Sequence, residues 1–114
     1  MFQAKHRFAR ISARKVRPLA DLVRGKFVDE ALNILRYQPH RGARLLEQVI
    51  KSAAANAQDP DQNKGQSANL RDLFVSDARI DGGPMFKRIQ PRARGTAYGI
   101  KKRFAHISVT LEEV

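Results

Sequence analysis

The first ten residues of the chain alternate between hydrophobic and polar positions. The hydrophobic side chains are Phe2, Ala4 and Phe8, and the positions between and after them are Gln3, Lys5, Arg7 and Ala9. Successive side chains of a strand point to opposite faces, so this alternation predicts a short β-strand. Because Lys5 and Arg7 fall on the same face, the predicted strand has one basic side.

A helical pattern follows this strand. Val16, Leu19, Ala20 and Val23 lie at i, i+3, i+4 and i+7, and therefore on one face of a helix. We expect the Ser12 hydroxyl to accept a hydrogen bond at the helix start and Gly25 to end the helix. Pro18 lies too deep for the first turn, so it should kink or shorten this helix.

Two further helices are predicted before a polar connection at residues 59–70. The second helix begins near Asp29, which we expect to be its cap, and must stop before Pro39. Its hydrophobic positions are Ala31, Leu32 and Leu35. The third helix lies within residues 40–59, and its continuous apolar stripe consists of Leu46, Val49, Ile50, Ala53 and Ala57.

Residues 70–80 and 104–111 have the composition of strands, and the second segment places Ile107, Val109 and Leu111 on one face. These elements predict an α+β fold in which three helices pack on a small antiparallel β-sheet. A chain of 114 residues, 42% of them hydrophobic, is able to bury roughly 65% of its unfolded surface. We therefore expect a single domain over residues 1–114.

A basic insert, residues 79–103, separates the last two strand segments. It carries eight Lys and Arg against one acid, Asp81, together with four glycines and two prolines. Two strand-forming runs joined by such an insert predict a long protruding basic β-hairpin at about residues 79–103. Pro84 and Pro91 lack an amide donor, so they argue against a central strand here. The alternative is a disordered basic loop, at least until a polyanion binds.

Positive charge is concentrated in two blocks of the chain. The formal net charge is +11; residues 1–26 hold eight Lys/Arg and one acid (net +7), and residues 79–103 also carry +7. The body between them, residues 27–78, has a net charge of −1, and residues 104–114 have −2. This asymmetry predicts a polyanionic partner and favours nucleic acid. Anionic membrane is the competing partner, but no apolar run approaches the roughly 20 residues of a span, so we expect no membrane association.

The basic residues of the two blocks are the candidate RNA-binding residues. They are Lys5, Arg7, Arg10, Arg14, Lys15, Arg17, Arg24, Lys26, Lys87, Arg88, Arg92, Arg94, Lys101, Lys102 and Arg103. Arginine bridges phosphates bidentately, whereas lysine acts as a mobile point charge. For the N-terminal group the alternative is a solvated charge run. Phe86 and Tyr98 either stack on unpaired bases or pack across the hairpin, and the sequence leaves both alternatives open.

Candidate catalytic chemistry is weak throughout the chain. Cysteine is absent, and His6, His40 and His106 do not have the spacing of metal ligands. Asp59 and Asp61 flank Pro60 and are typical of a turn rather than of an acid/base pair. Neither a phosphate-binding glycine loop nor a nucleophile elbow occurs. We therefore expect no enzyme activity, no metal, no cofactor and no small-molecule substrate.

An architectural DNA-binding protein is the main alternative function. Minor-groove benders use basic β-arms whose apolar wedge unstacks bases, and Pro91 is placed to act as such a wedge. These proteins usually work as symmetric dimers. The second basic block, at the N-terminus, instead suits a monomer embedded in folded RNA.

Three segments resemble one protein family. They are VRPLADLVRGK at 16–26, KSAAANA at 51–57, and GPMFKRIQPRARG at 83–95 with KKRFAHISV at 101–109. Together they resemble the large-subunit ribosomal protein twenty-two family, and the similarity runs from about Lys5 to Glu112.

The resemblance implies a compact domain on the outer face of the large ribosomal subunit, in the cytoplasm. Its hairpin would thread between RNA helices to the wall of the peptide exit tunnel and so support assembly and translation. The implied partners are large-subunit ribosomal RNA, neighbouring ribosomal proteins and the nascent peptide. The implied tunnel-facing tip consists of Met85, Phe86, Lys87, Arg88, Ile89, Gln90, Pro91, Arg92, Ala93, Arg94 and Gly95.

Overall fold

A computed structural model of the chain describes residues 2–59, 70–91, 95 and 97–113, with the backbone alone at 70, 86–91 and 97–101. Its elements in chain order are β1 (Phe2–Ala9), α1 (Ala13–Val23), α2 (Val28–Arg36), α3 (Arg41–Gln58), a 3₁₀ turn (Leu70–Asp72), β2 (Leu73–Pro91) and β3 (Ala97–Glu113). The described part of the chain thus contains three α-helices and a three-stranded sheet of order β1-β3-β2. The predicted α+β fold, with helices on a small antiparallel sheet, is confirmed.

The sheet is antiparallel, with β3 in the centre. β1 pairs with β3 from Phe2↔Leu111 to Ala9↔Ala105. β2 pairs with β3 from Leu73↔Glu113 to Pro91↔Ala97. Most of the tip between Pro91 and Ala97 lies outside the described residues, so the protruding hairpin at 79–103 stays a prediction, as does the single-domain boundary.

The core lies between the helices and one face of the sheet. The predicted apolar faces of α1, α3 and β3 are confirmed, because every residue named for them is buried. In α2, Ala31 and Leu35 are buried, whereas Leu32 is partly buried and Val28 takes an additional core position. Along the sheet the buried side chains are Leu73, Val75, Ala78, Ile80, Ala105, Ile107, Val109 and Leu111. The hydrophobic core therefore ends at Ile80 and Ala105, at the base of the candidate arm.

The helix ends differ from the prediction in three respects. Ser12 is the N-cap of α1, but its side chain accepts no capping hydrogen bond; its backbone carbonyl instead accepts from the Lys15 amide at 3.1 Å. The N-cap of α2 is Phe27, two residues before the predicted cap Asp29. Asp29 therefore lies inside the first turn, where the helix dipole stabilises its negative charge. Of the two predicted effects of Pro18, a kink or a shorter helix, the shortening is wrong, because α1 continues through Pro18 to Val23. Gly25 follows α1 with φ +79°, as a helix-ending glycine should.

Three β-bulges interrupt the part of the sheet that the structure describes, and one of them corrects the prediction for β1. β1 advances by three residues from His6 to Ala9, whereas β3 advances by only two, from Ile107 to Ala105. The extra residue reverses which side chains face the core, so Ala9 is buried and Phe8 is 57% exposed with φ +59°. The prediction that Phe8 shares the hydrophobic face of Phe2 and Ala4 is therefore wrong.

Bulges also shape β2. Val75 opposes Leu111 and Asp77 opposes Thr110, so Ser76 is the extra residue. The buried residues of β2 are therefore at odd-numbered positions before the bulge (Leu73 and Val75) and at even-numbered positions after it (Ala78 and Ile80). A further shift lies between Gly82 and Met85. Since β2 is an edge strand, the missing amide of Pro84 is tolerated there, in agreement with the argument against a central strand.

The separation of the core from the candidate arm can be tested by shortening the chain. Replacing residues 86–102 with Asn-Gly joins the register partners Met85 and Arg103 through a two-residue turn. Because a two-stranded ribbon is marginal on its own, we expect the free energy of unfolding to change by no more than about 1–2 kcal/mol. Leu46→Ala, which empties a fully buried position, should cost about 2–5 kcal/mol. Urea denaturation followed by circular dichroism measures both, and an unfolded shortened variant would show that the arm belongs to the core.

Candidate nucleic-acid interface

Basic residues from three separate segments meet in one open groove of about 860 Å³. Arg10, Arg14 and Lys15 come from the N-terminal block, Arg41 from the start of α3, and Lys102 and Arg103 from β3. The other lining residues are Ile11, Ser12, Pro18, Leu19, His40 and Gly42. None of these described lining residues is Asp or Glu, so the Lys and Arg charges of the groove, which we call the basic groove, have no lining acid to offset them.

Close packing of α3 against α1 forms the basic groove. Gly42 is buried, and a Cβ added there would lie 3.1 Å from Val16 Cγ2, 3.2 Å from Leu19 Cδ1 and 3.3 Å from Ile11 Cδ1. The absence of a side chain therefore brings the first turn of α3 against α1. Arg41 Nη1 also donates to the Arg10 carbonyl at 3.1 Å, which links this turn to the β1–α1 connection.

Two helix N-termini open into the basic groove. α1 begins after Ser12 and α3 begins after His40, and neither cap side chain accepts a hydrogen bond from its helix. Helix N-termini carry amides without intrahelical partners and a partial positive charge, so both attract anions. Combined with six cationic side chains, this arrangement suits a chain of phosphates.

The candidate RNA-binding residues fall into distinct groups in the structure. All those with described side chains are exposed: Lys5, Arg7, Arg10, Arg14, Lys15, Arg17, Arg24, Lys26, Lys102 and Arg103. Five of them line the basic groove, and Lys5 and Arg7 line a smaller depression beside Phe8 and His106. The side chains of Lys87, Arg88 and Lys101, and all of Arg92 and Arg94, lie outside the described part of the chain. The same holds for the predicted tip, except Met85, which is 52% exposed, and the backbone of 86–91 and Gly95.

Arg17 and Arg24 have a structural role that their charge did not predict. Arg24 donates from Nε and Nη2 to the Ala78 carbonyl at 3.0 and 2.6 Å, and it forms an ion pair with Asp21. Arg17 Nε donates to the Ile80 carbonyl at 3.3 Å. A guanidinium has five N–H donors, so these contacts leave donors that can reach phosphate.

Two arginines of the near-neutral body were missed by the charge pattern. Arg41 lines the basic groove. The feature of the sequence that could have indicated this was its position at the predicted start of the third helix. Arg44 is structural: it donates to the carbonyls of Leu35 at 3.1 Å, Arg36 at 2.9 Å and Gln38 at 3.0 Å, at the C-terminal end of α2.

Other site types find little support in the described residues. Among them, no group of three or more His, Cys, Asp and Glu is arranged to hold a metal ion. No helix in the described ranges is long and apolar enough to cross a membrane.

The basic groove can be tested with charge-matched variants. Arg14→Gln with Lys15→Gln removes one Arg and one Lys from the groove, and Arg36→Gln with Lys51→Gln removes the same pair from a depression elsewhere on the body. Each phosphate contact contributes about 0.9 to the slope of log affinity against log salt for a duplex. We expect the groove variant to lower this slope by about 1–2 and the control to leave it nearly unchanged, as measured by filter binding to duplex RNA.

The unaltered protein sets the scale for that comparison. If about 6–10 phosphates are engaged, its affinity should fall about 10³–10⁵-fold between about 50 and 200 mM salt. A nearly flat salt dependence, or equal slopes for the two double variants, would contradict binding through the basic groove.

Comparison with known proteins gives one consistent family. Residues 4–112 match the family model described as ribosomal protein L22p/L17e. A relative from Rhodopirellula baltica, named large ribosomal subunit protein uL22, is 66% identical over 113 residues, which are 99% of this chain and 95% of the relative. Relatives of the same name are 50% identical in Caldicellulosiruptor saccharolyticus (94% of this chain, 84% of the relative) and 49% identical in Desulfotalea psychrophila (97% and 96%). The chain therefore belongs to the ribosomal protein L22p/L17e family.

Proposed function

We propose that this chain is a structural component of the large ribosomal subunit, in the cytoplasm, and that its body anchors on ribosomal RNA through the basic groove. The observation that carries this proposal is the meeting of both basic blocks, with Arg41, in one groove. The names of the relatives support the assignment to the large subunit. Ribosomal proteins of this family are structural, so the chain is not an enzyme, and the alternative of an architectural DNA-binding protein loses its support.

The chemistry of the basic groove suits an RNA backbone. Arginine forms paired, charge-assisted hydrogen bonds with phosphate oxygens, and Arg10, Arg14, Arg41 and Arg103 stand around the groove with two lysines. The two helix N-termini add amide donors that need no side-chain ordering. Because no acid is among the described lining residues, no lining carboxylate would repel a phosphate there.

The second part of the proposal concerns the arm, residues 79–103. β2 and β3 stay paired beyond the end of the core, as far as Pro91↔Ala97. The radius of gyration is 17.3 Å, against about 13 Å for a compact domain of this length. Both observations support an arm that projects from the body. Pro91 lies nine positions after Gly82 in the sequence, which is roughly 30 Å of strand.

We propose that this arm passes between RNA helices and that its tip, residues 85–95, reaches the wall of the peptide exit tunnel. The tip mixes cations with apolar residues. A uniformly basic tip would suit RNA alone, whereas this mixture suits a wall that touches both RNA and a moving peptide. Neighbouring ribosomal proteins and the nascent peptide would then be the further partners.

The proposal predicts different defects for body and tip variants in ribosomes. Deleting residues 85–88 removes two of the chain's 22 Lys and Arg and leaves the basic groove intact. The deletion variant should enter large subunits normally, as measured after a high-salt wash, because the body supplies the anchoring contacts. Its effect should instead appear in the response to macrolides that bind in the tunnel and in nascent-chain stalling.

The Arg14→Gln, Lys15→Gln variant is the matched comparison. It should lower occupancy of the large subunit and leave the tunnel response of those subunits that do contain the protein unchanged. Normal incorporation of the tip deletion with unchanged drug response and unchanged stalling would mean that the tip is an RNA anchor only. If the groove variant entered large subunits as fully as the unaltered protein does, anchoring of the body through the basic groove would be contradicted.

A further inference from the structure

The bulge in β1 leaves an aromatic side chain exposed to solvent. Phe8 is 57% exposed and has φ +59°, a left-handed conformation that a side chain with a Cβ rarely adopts. It is the one non-glycine residue with positive φ in the described part of the chain. Backbone strain of this kind persists where the surrounding structure enforces it, and it concentrates at functional positions.

His106, in the neighbouring strand, enforces this conformation. The Phe8 amide, displaced from the strand ladder by the bulge, donates to His106 Nδ1 at 3.1 Å. The two rings also meet edge to face, with centroids 4.9 Å apart and an interplanar angle of 85°. Since Nδ1 accepts a hydrogen bond, the proton of the neutral imidazole lies on Nε2, which remains a donor.

Phe8 and His106 belong to a depression of about 320 Å³ on the face of the sheet opposite the helices. Its other lining residues are Lys5, Arg7, Asp81 and Ser108. The strand register places Lys5 opposite Ser108 and Asp81 opposite His106. Directly paired residues point to the same face of a sheet, so these four side chains share one surface.

We propose that this depression binds one unpaired nucleotide of RNA, with its base stacked on Phe8. The proposal rests on the RNA-binding function proposed above and adds a second contact surface, separate from the basic groove. Exposed aromatic residues on the open face of a sheet are a recurrent way of stacking single-stranded bases.

The charges around Phe8 fit a nucleotide better than an apolar peptide. Lys5 and Arg7 are exposed cations able to pair with the phosphates on either side of the base. The Asp81 carboxylate accepts hydrogen bonds from the amino groups of a base edge, and the His106 Nε2–H donates to a ring nitrogen or carbonyl. Stacking, phosphate contacts and edge contacts thus come from different side chains of the same depression.

The test compares two RNA hairpins that have the same loop and equal numbers of phosphates; the stem is fully paired in one and contains a single unpaired adenosine in the other. Binding is measured by fluorescence anisotropy for the unaltered protein and for Phe8→Gly, Phe8→Tyr and Tyr37→Ala. Base–aromatic stacking corresponds to about 5- to 150-fold in affinity, so the unaltered protein should prefer the hairpin with the unpaired base by about fivefold or more. Phe8→Tyr should keep this preference, and so should Tyr37→Ala, which removes an aromatic side chain that is 85% exposed on another element.

Phe8→Gly separates stacking from a structural role. Glycine adopts φ +59° without steric cost. The midpoint of thermal unfolding of the Phe8→Gly variant should therefore equal or exceed that of the unaltered protein. Its preference for the unpaired base should disappear, while its affinity for the paired hairpin, which the basic groove binds, should persist. A ring that serves only to pack against His106 would instead give a lower midpoint with the preference retained.

The outcomes distinguish this inference from the function on which it rests. If the unaltered protein binds both hairpins equally, or if Phe8→Gly keeps the preference, the stacking site is refuted and the basic groove is not. If the unaltered protein binds neither hairpin at low salt, the proposed function fails, and this inference fails with it.

Discussion

The outer edge of β2 is the constraint on which the arrangement of the molecule depends. An uncovered edge strand presents unpaired amides and carbonyls that can pair with another chain. Here the Val75 carbonyl accepts from the Gly25 amide at 2.8 Å, and the Val75 amide donates to the Lys26 carbonyl at 2.9 Å. Arg24 and Arg17 then donate to the carbonyls of Ala78 and Ile80. Because these donors belong to α1 and to the segment after it, α1 cannot shift without exposing the edge.

Fixing α1 also fixes the surface proposed to bind RNA. α1 carries Arg14 and Lys15 into the basic groove on the same helix whose C-terminal part covers β2. The helix that carries these charges is therefore held in place by the fold, which would reduce the ordering cost of the proposed RNA binding. The same concentration of charge repels itself in the free protein. RNA bound at the proposed surface would relieve that repulsion, and folding and binding would then favour the same arrangement.

The sequence predicts the parts of this fold that depend on periodicity. The apolar faces of α1, α3 and β3 follow from spacing alone, because each element is regular along its length. The bulges could not be predicted, since each is defined by register against a partner strand. At β1, hydrophobicity favours Phe8 over Ala9 as a core residue, yet the extra residue buries Ala9. The basic groove was predicted in its charges but not in its location, because Gly42 and Arg41 bring α3 to it through tertiary packing.

Two of the bulges determine which groups of the sheet face α1 and which face the proposed binding surfaces. The bulge at Ser76 adds one residue to β2, so that after it even-numbered rather than odd-numbered residues direct their carbonyls to the outer edge. The carbonyls of Ala78 and Ile80 therefore accept hydrogen bonds from Arg24 and Arg17 instead of pairing with β3. The bulge in β1 turns Phe8 to the opposite face of the sheet. The basic groove includes Lys102 and Arg103, and the depression includes Asp81 and His106, so both lie at the base of the proposed arm. RNA held on both faces at this point would fix the direction of a two-stranded arm that has little stability of its own.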